Sequence, residues 1–178
     1  PMFSRQLKTG EGVGDLLNLS FRLLLTAAIL ISTFCWFFRE EIVLTLYTEA
    51  DAYWGQVLGI LLISYIALCG TYIHGTLLTA NGSLRKMNQL FLGAVLLNIL
   101  GNFLLIPKYG AAGAAAMTVF TQTLAWLGQW WLSKKIMAVQ LESRTILSLF
   151  ILAIAMVVLG NFALEPLSGN IGWIWEAL

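Results

Sequence analysis

The stretch MNQLFLGAVLLNILGNFLLIPKYGAAGAAAMTVFTQTLAWLGQWWL, residues 87–132, decides the fold. It holds two apolar runs, Met87 to Ile106 and Ala111 to Leu132, parted only by Pro107-Lys108-Tyr109-Gly110. A bilayer core about 30 Å thick is crossed by roughly 20 mostly apolar helical residues, and each run has that length. Proline stops one helix and glycine opens the turn into the next, so the two runs predict antiparallel neighbours. Three more runs of spanning length flank them: Leu16 to Phe38, Trp54 to Ala80 and Thr145 to Leu164. The expected fold is therefore all-α, a polytopic transmembrane bundle of five helices at 16–38, 54–80, 87–106, 111–132 and 145–164. Ile171 to Leu178 is apolar but too short to span, and reads as the start of a truncated sixth.

Composition agrees. Of 178 residues, 59% are apolar and 11% charged, against roughly 45–50% and 25% in soluble domains. The ten basic residues are scattered among loops rather than gathered on one face, which gives no footprint for nucleic acid. Seven of them flank alternate turns: Arg5 and Lys8, Arg85 and Lys86, then Lys134, Lys135 and Arg144. The intervening loops carry only Arg39 and Lys108, and Arg22 lies inside a helix. The positive-inside rule places the Arg85 and Lys134 loops in the cytoplasm and the Arg39 and Lys108 loops outside, an alternation that agrees with five crossings. The opening Pro1-Met2-Phe3-Ser4-Arg5 has no signal-peptide pattern and reads as the middle of a longer protein.

Ile42 to Tyr53 is too short and too acidic to span, and reads as an outer interfacial segment, 42–53. The turn Asn81-Gly82-Ser83 reverses the chain between the second and third helices. Aromatic residues collect at the expected headgroup levels: Trp36, Phe37, Phe38, Tyr53 and Trp54 outside, Trp130 and Trp131 inside. The fifth helix is apolar nearly all round and is expected to be peripheral.

The other helices carry polar residues at helical spacing. Asn18, Arg22, Thr26 and Thr33 share one face of the first. Arg22 is the only ionised side chain within the spans, costly there unless it snorkels to the surface or faces a watery cavity. Asn98 and Asn102 are one turn apart in the third helix, placed to glue helices together or to line a cavity. Thr118, Thr121, Gln122, Ala125 and Gln129 form a single polar face on the fourth, and the run Gly110 to Ala116 is small enough for close helix approach. His74 suits a hydrogen-bonded structural role better than a proton relay, and Cys35 and Cys69 read as small buried hydrophobes. No nucleophile-and-base set, phosphate loop or metal cluster appears, so catalysis, a cofactor and a metal are not expected.

The residues Leu97 to Ala115 closely resemble the Asn-x-x-x-Asn, Ile-Pro-x-Tyr-Gly, Gly-Ala-Ala signature of polysaccharide-biosynthesis flippases. These belong to the multidrug, oligosaccharidyl-lipid and polysaccharide exporter superfamily. Further matches are Pro1 to Arg5, Glu41 to Tyr47 and Leu78 to Gly82, so that the resemblance covers roughly 1–135 in order. Thr26-Ala27-Ala28 stands where members often carry a proline.

The resemblance implies the C-terminal lobe of a fold of 12 to 14 helices, with 1–135 supplying most of that lobe and 136–178 the beginning of an extra pair. It implies flipping of lipid-linked oligosaccharide, on an undecaprenyl pyrophosphate carrier, across the bacterial inner membrane by alternating access. The implied partners are that lipid-linked oligosaccharide, the bilayer and the N-terminal half of the same transporter. A pyrophosphate-linked sugar calls for a cation plus amides and hydroxyls. The spans offer Arg22, Asn98, Asn102, Thr118, Thr121 and Gln122 with no carboxylate. A cation-coupled multidrug exporter, the alternative, is expected to carry buried acids. A membrane-embedded transferase, the third reading, needs catalytic acids or a His-Asp pair on a loop.

Overall fold

A computed structural model describes residues 2–9, 13–49, 51–139 and 141–164. The candidate sixth helix at 171–178 lies outside them, as does Pro1. Among the described residues the regular structure is entirely helical. The order is α1 (Met2–Thr9), α2 (Gly14–Phe37), α3 (Arg39–Leu46), α4 (Ala52–Ala80), α5 (Leu84–Met137) and α6 (Ser143–Leu159), which runs on into a π-helical turn, Gly160–Leu164. Four helices are long and apolar enough to cross a membrane: α2, α4, α5 and Ser143–Phe162.

The third of these is two limbs in one. At 54 residues and 1.5 Å per residue, a straight α5 would reach about 80 Å, more than twice the hydrocarbon thickness. It breaks at Gly110, whose φ of 58° and ψ of −137° are non-helical. The limbs 84–109 and 111–137 then pair antiparallel. Asn98 meets Thr121, while Gly101 meets Met117, Gly128 meets Leu90, and Gly113 packs under the Leu105 carbonyl. In every pair the two residue numbers total 218 or 219, the register of a hairpin folded at 109–110.

Pro107, expected to end the first limb, instead sits inside it. Its missing N–H and ring clash fall in the last turn, where they disturb little helix. Gly110 makes the reversal, because a residue with a Cβ is strained at that φ. Tyr53 secures it. Its hydroxyl donates to the Tyr109 carbonyl at 3.3 Å and accepts from the Ala112 N–H at 3.1 Å, joining the end of one limb to the start of the other.

At the opposite end α4 closes on Gly82, with φ 75°. There Ser83 N–H bonds Leu78 O and Gly82 N–H bonds Thr79 O, each at 3.0 Å. This paired pattern satisfies two terminal carbonyls before the chain enters α5. Asp51 caps the start of α4, its carboxylate accepting from Tyr53 N–H at 3.0 Å. The acidic stretch after α2 forms α3, which packs on α4 through buried Val43.

Leu17, Phe21, Leu25 and Ala28 repeat every three or four residues along α2 and meet Cys69, Ile73 and Leu77 of α4, with Phe3 of α1 and Val13 completing the cluster. Lipid tails are as apolar as leucine, so such contacts are held by close fit and dispersion more than by the hydrophobic effect. The exposed surface is apolar too, with Phe103 and Phe162 each 82% exposed among many leucines and isoleucines. A water-facing surface does not carry a patch of that extent.

The fifth run, α6, packs on α2 and has one buried residue, Thr145. Its remaining described surface is intermediate or exposed.

Tyr53→Phe should lower stability by about 1–3 kcal/mol, since it leaves the Tyr109 and Ala112 backbone groups without that hydroxyl. Gly110→Ala should cost a similar ~1–3 kcal/mol through backbone strain. The midpoint of thermal unfolding in detergent measures both.

Candidate functional site

Three of the polar residues singled out by spacing meet inside the α5 hairpin. Asn102 Nδ2 donates to Asn98 Oδ1 at 2.9 Å. Asn98 Nδ2 donates to Thr121 Oγ1 at 3.0 Å, and Thr121 Oγ1 donates to the Met117 carbonyl at 2.9 Å. The result is a ladder that starts on one limb and ends on the backbone of the other. Its origin is local: one helical turn separates the two asparagines, and the hairpin register brings Thr121 opposite Asn98.

Thr118, half-buried, turns its hydroxyl to the Ala114 carbonyl at 2.9 Å, an intrahelical bond common for threonine. Gln122 is half-buried and makes no side-chain hydrogen bond among the described residues. Asn102 Oδ1 is buried without a hydrogen-bond partner within the chain. Asn102 also borders a groove of about 340 Å³ with Ile99, Phe103, Ile106 and Pro107. The ladder thus keeps one acceptor uncommitted beside a mostly apolar groove.

Arg22 is engaged elsewhere. Its Nε donates to Thr145 Oγ1 at 3.0 Å, and one terminal nitrogen meets Glu142 Oε2 at 3.2 Å. Asn18, one turn earlier, accepts from the Glu142 N–H at 2.9 Å. The polar face of α2 therefore seizes the start of α6, with Thr145 wholly buried. Both members of the ion pair are about half exposed, so solvent or headgroups screen it, and pairs of this kind contribute about 0–1 kcal/mol. Arg22 and the asparagine ladder, combined by sequence reasoning, are held by different helix pairs.

Sequence reading also passed over features that depend on distant partners. Glu142 as the counter-ion of Arg22 is one, and the Tyr53 hydroxyl is another. A third is a buried polar group made by Thr71 and His74 on α4 with Gln129 and Ser133 on α5, all at most 7% exposed. The sequence points to His74 as a structural histidine and to Gln129 on the polar face of the fourth helix, but not to their meeting or to Thr71 and Ser133. Left without partners, such groups cost about 1–3 kcal/mol each.

Basic residues mark the Gly82 end of the bundle. Lys134 lies over the Trp130 ring at 5.6 Å and Lys135 over the Trp131 ring at 4.8 Å, in the last turn of α5 where cations oppose the helix dipole. Among the described residues no three His, Cys, Asp or Glu side chains gather as metal ligands.

No family model, curated protein or solved structure matches this chain. What the fold itself defines is an all-helical, membrane-embedded protein with several spans and a polar ladder inside one hairpin.

In a double-mutant cycle of Asn98→Ala and Thr121→Val, thermal stability should reveal a coupling of about 0.6 kcal/mol, and at most about 1.7 kcal/mol, the range of interhelical hydrogen bonds in membranes. Additive effects would mean that the ladder does not tie the limbs together.

Proposed function

We propose that this chain is the C-terminal part of a transporter that flips lipid-linked oligosaccharide from the inner to the outer leaflet of the bacterial cytoplasmic membrane. The carrier would be an undecaprenyl pyrophosphate and the motion alternating access, with an N-terminal half supplying the opposing lobe. The observation that carries this reading is the polar chemistry of the spans: amides and hydroxyls at Asn98, Asn102, Thr118, Thr121 and Gln122, one cation at Arg22, and no carboxylate across 16–38, 54–80, 87–106, 111–132 or 145–164.

An anionic, hydroxyl-rich cargo is repelled by buried acid and accepted by amides and a guanidinium. Asn102 Oδ1 is buried without a partner within the chain, an acceptor that a sugar hydroxyl would meet when the adjoining groove opens. Arg22 commits Nε and one terminal nitrogen to α6, which leaves other N–H groups of its five-donor fork for phosphate. The resemblance of 97–115 to the flippase signature supports the same reading, and so does the lack of any nucleophile-and-base set that a transferase would need.

The test uses the full-length transporter in cells that depend on it for surface polysaccharide. Arg22→Ala should reduce surface polysaccharide roughly ten- to a hundredfold, the equivalent of one charge-assisted hydrogen bond, and Arg22→Lys should keep part of it. Glu142→Gln breaks the same ion pair while keeping the cation, so it should leave export near normal. Asn102→Ala should also reduce export. Normal polysaccharide with both Arg22→Ala and Asn102→Ala would sink the role of these residues, and proton- or sodium-dependent dye efflux would favour the drug-exporter reading instead.

A further inference from the structure

Thr71 Oγ1, both ring nitrogens of His74, both amide atoms of Gln129 and Ser133 Oγ are buried, and none has a hydrogen-bond partner within the chain. His74 and Ser133 are each 1% exposed and Gln129 is 0% exposed. His74 and Gln129 lie at one level of the bundle, with Thr71 and Ser133 one turn away along their own helices. The second limb of α5 runs parallel to α4, with Trp126 against Gly70 and the Gln129 head against Gly75. A Cβ on Gly75 would stand 3.4 Å from Gln129 Oε1 and 3.9 Å from Nε2, so that amide reaches the backbone next to His74. Phe21 of α2 closes the group from the third side, its ring 5.0 Å from the His74 ring and 6.5 Å from that of Trp126.

Six unpartnered polar atoms buried along one helix contact are far from the usual outcome, in which buried polar side chains find partners in protein or ordered water. We propose that Thr71, His74, Gln129 and Ser133 form an internal hydrated site whose ligand is bound water, held between α4 and the second limb of α5. Chemistry selects that ligand. The carboxamide presents a donor on one side and an acceptor on the other, a neutral imidazole does the same, and each hydroxyl can do either. The guest must therefore both donate and accept.

An ion fits poorly. The four side chains include no Asp, Glu, Lys or Arg, so a bound charge would sit in a low-dielectric interior without compensation. A buried water makes about three hydrogen bonds, so about two would serve the six atoms. The contact between α4 and α5 is then close-packed where Trp126 meets Gly70 and wet beside it. Water that re-forms its bonds lets the two helices shift at this level without stranding a polar group, which direct side-chain bonds would not.

The experiment is hydroxyl-radical footprinting of the full-length protein in lipid nanodiscs, with radicals generated by X-ray radiolysis in ¹⁸O-labelled water. Radicals born on bound water attack the nearest side chains. His74 should be oxidised at a rate within about tenfold of exposed aromatics although it is buried, because a water serving this group lies within hydrogen-bond reach of the imidazole. In Gln129→Leu, which removes two of the six polar atoms, oxidation of His74 should fall by about fivefold or more as the water loses its main partner. Should that variant not fold, Ser133→Ala serves in its place and the fall is smaller but in the same direction.

Oxidation of His74 in the unaltered protein as low as that of buried Phe21 would overturn the proposal. So would a high-resolution map in which the imidazole bonds directly to the Gln129 amide with no water between them.

Discussion

In a bilayer every backbone N–H and C=O must be satisfied within the protein, because no water is at hand. Helices meet that demand along their length and fail at their ends. In this protein the hardest end is internal, at the reversal between the limbs of α5, where the chain turns at Gly110 without a polar loop. The Tyr53 hydroxyl reaches across from α4 and takes both the Tyr109 carbonyl and the Ala112 N–H. With Gly110 making the corner, that group secures the hairpin and the register that brings Asn98 to Thr121 and Gln129 to the His74 level.

Polar side chains in the rest of the structure follow the same logic of mutual satisfaction. The asparagines hand hydrogen bonds across the hairpin until a backbone carbonyl receives the last. Arg22 is met by the hydroxyl and carboxylate that open α6, and Asn18 holds the backbone beside them. The atoms that escape this pattern stand out: Asn102 Oδ1 beside a groove, and the group around His74. Sites of recognition and of bound solvent are sought there because the chain itself does not complete them.

How much of this could be read from sequence depended on the distance along the chain. Runs of apolar residues reveal membrane helices directly, because length and hydropathy are local properties. The one-turn spacing of Asn98 and Asn102 is local too, and the ladder follows from it once the hairpin register is known. The break at Gly110 was half legible: a reversal was plain from Pro107 and Gly110, yet proline proved compatible with the final turn and glycine alone made the corner. Arg22 was recognisable as costly, whereas its partner lies 120 residues away. The parallel register that unites His74 with Gln129 has no local signal, because it arises from how α4 and the second limb of α5 are laid side by side. Gln122, chosen for its place on a polar face, engages nothing in the described structure.

The long separation of Arg22 from Glu142 also orders events during synthesis. A chain made from its N-terminus inserts α2 well before residue 142 has left the ribosome, and domains and helices assemble in that order. The hairpin of α5 can close from neighbouring segments as soon as it emerges, but Arg22 waits through the making of three further spans for its counter-ion. During that interval its long side chain must rely on the headgroup region for solvation. Arrival of α6 is thus the step that brings Arg22 its carboxylate, so a ribosome that stopped after Met137 would leave behind four spans and one arginine without its counter-ion.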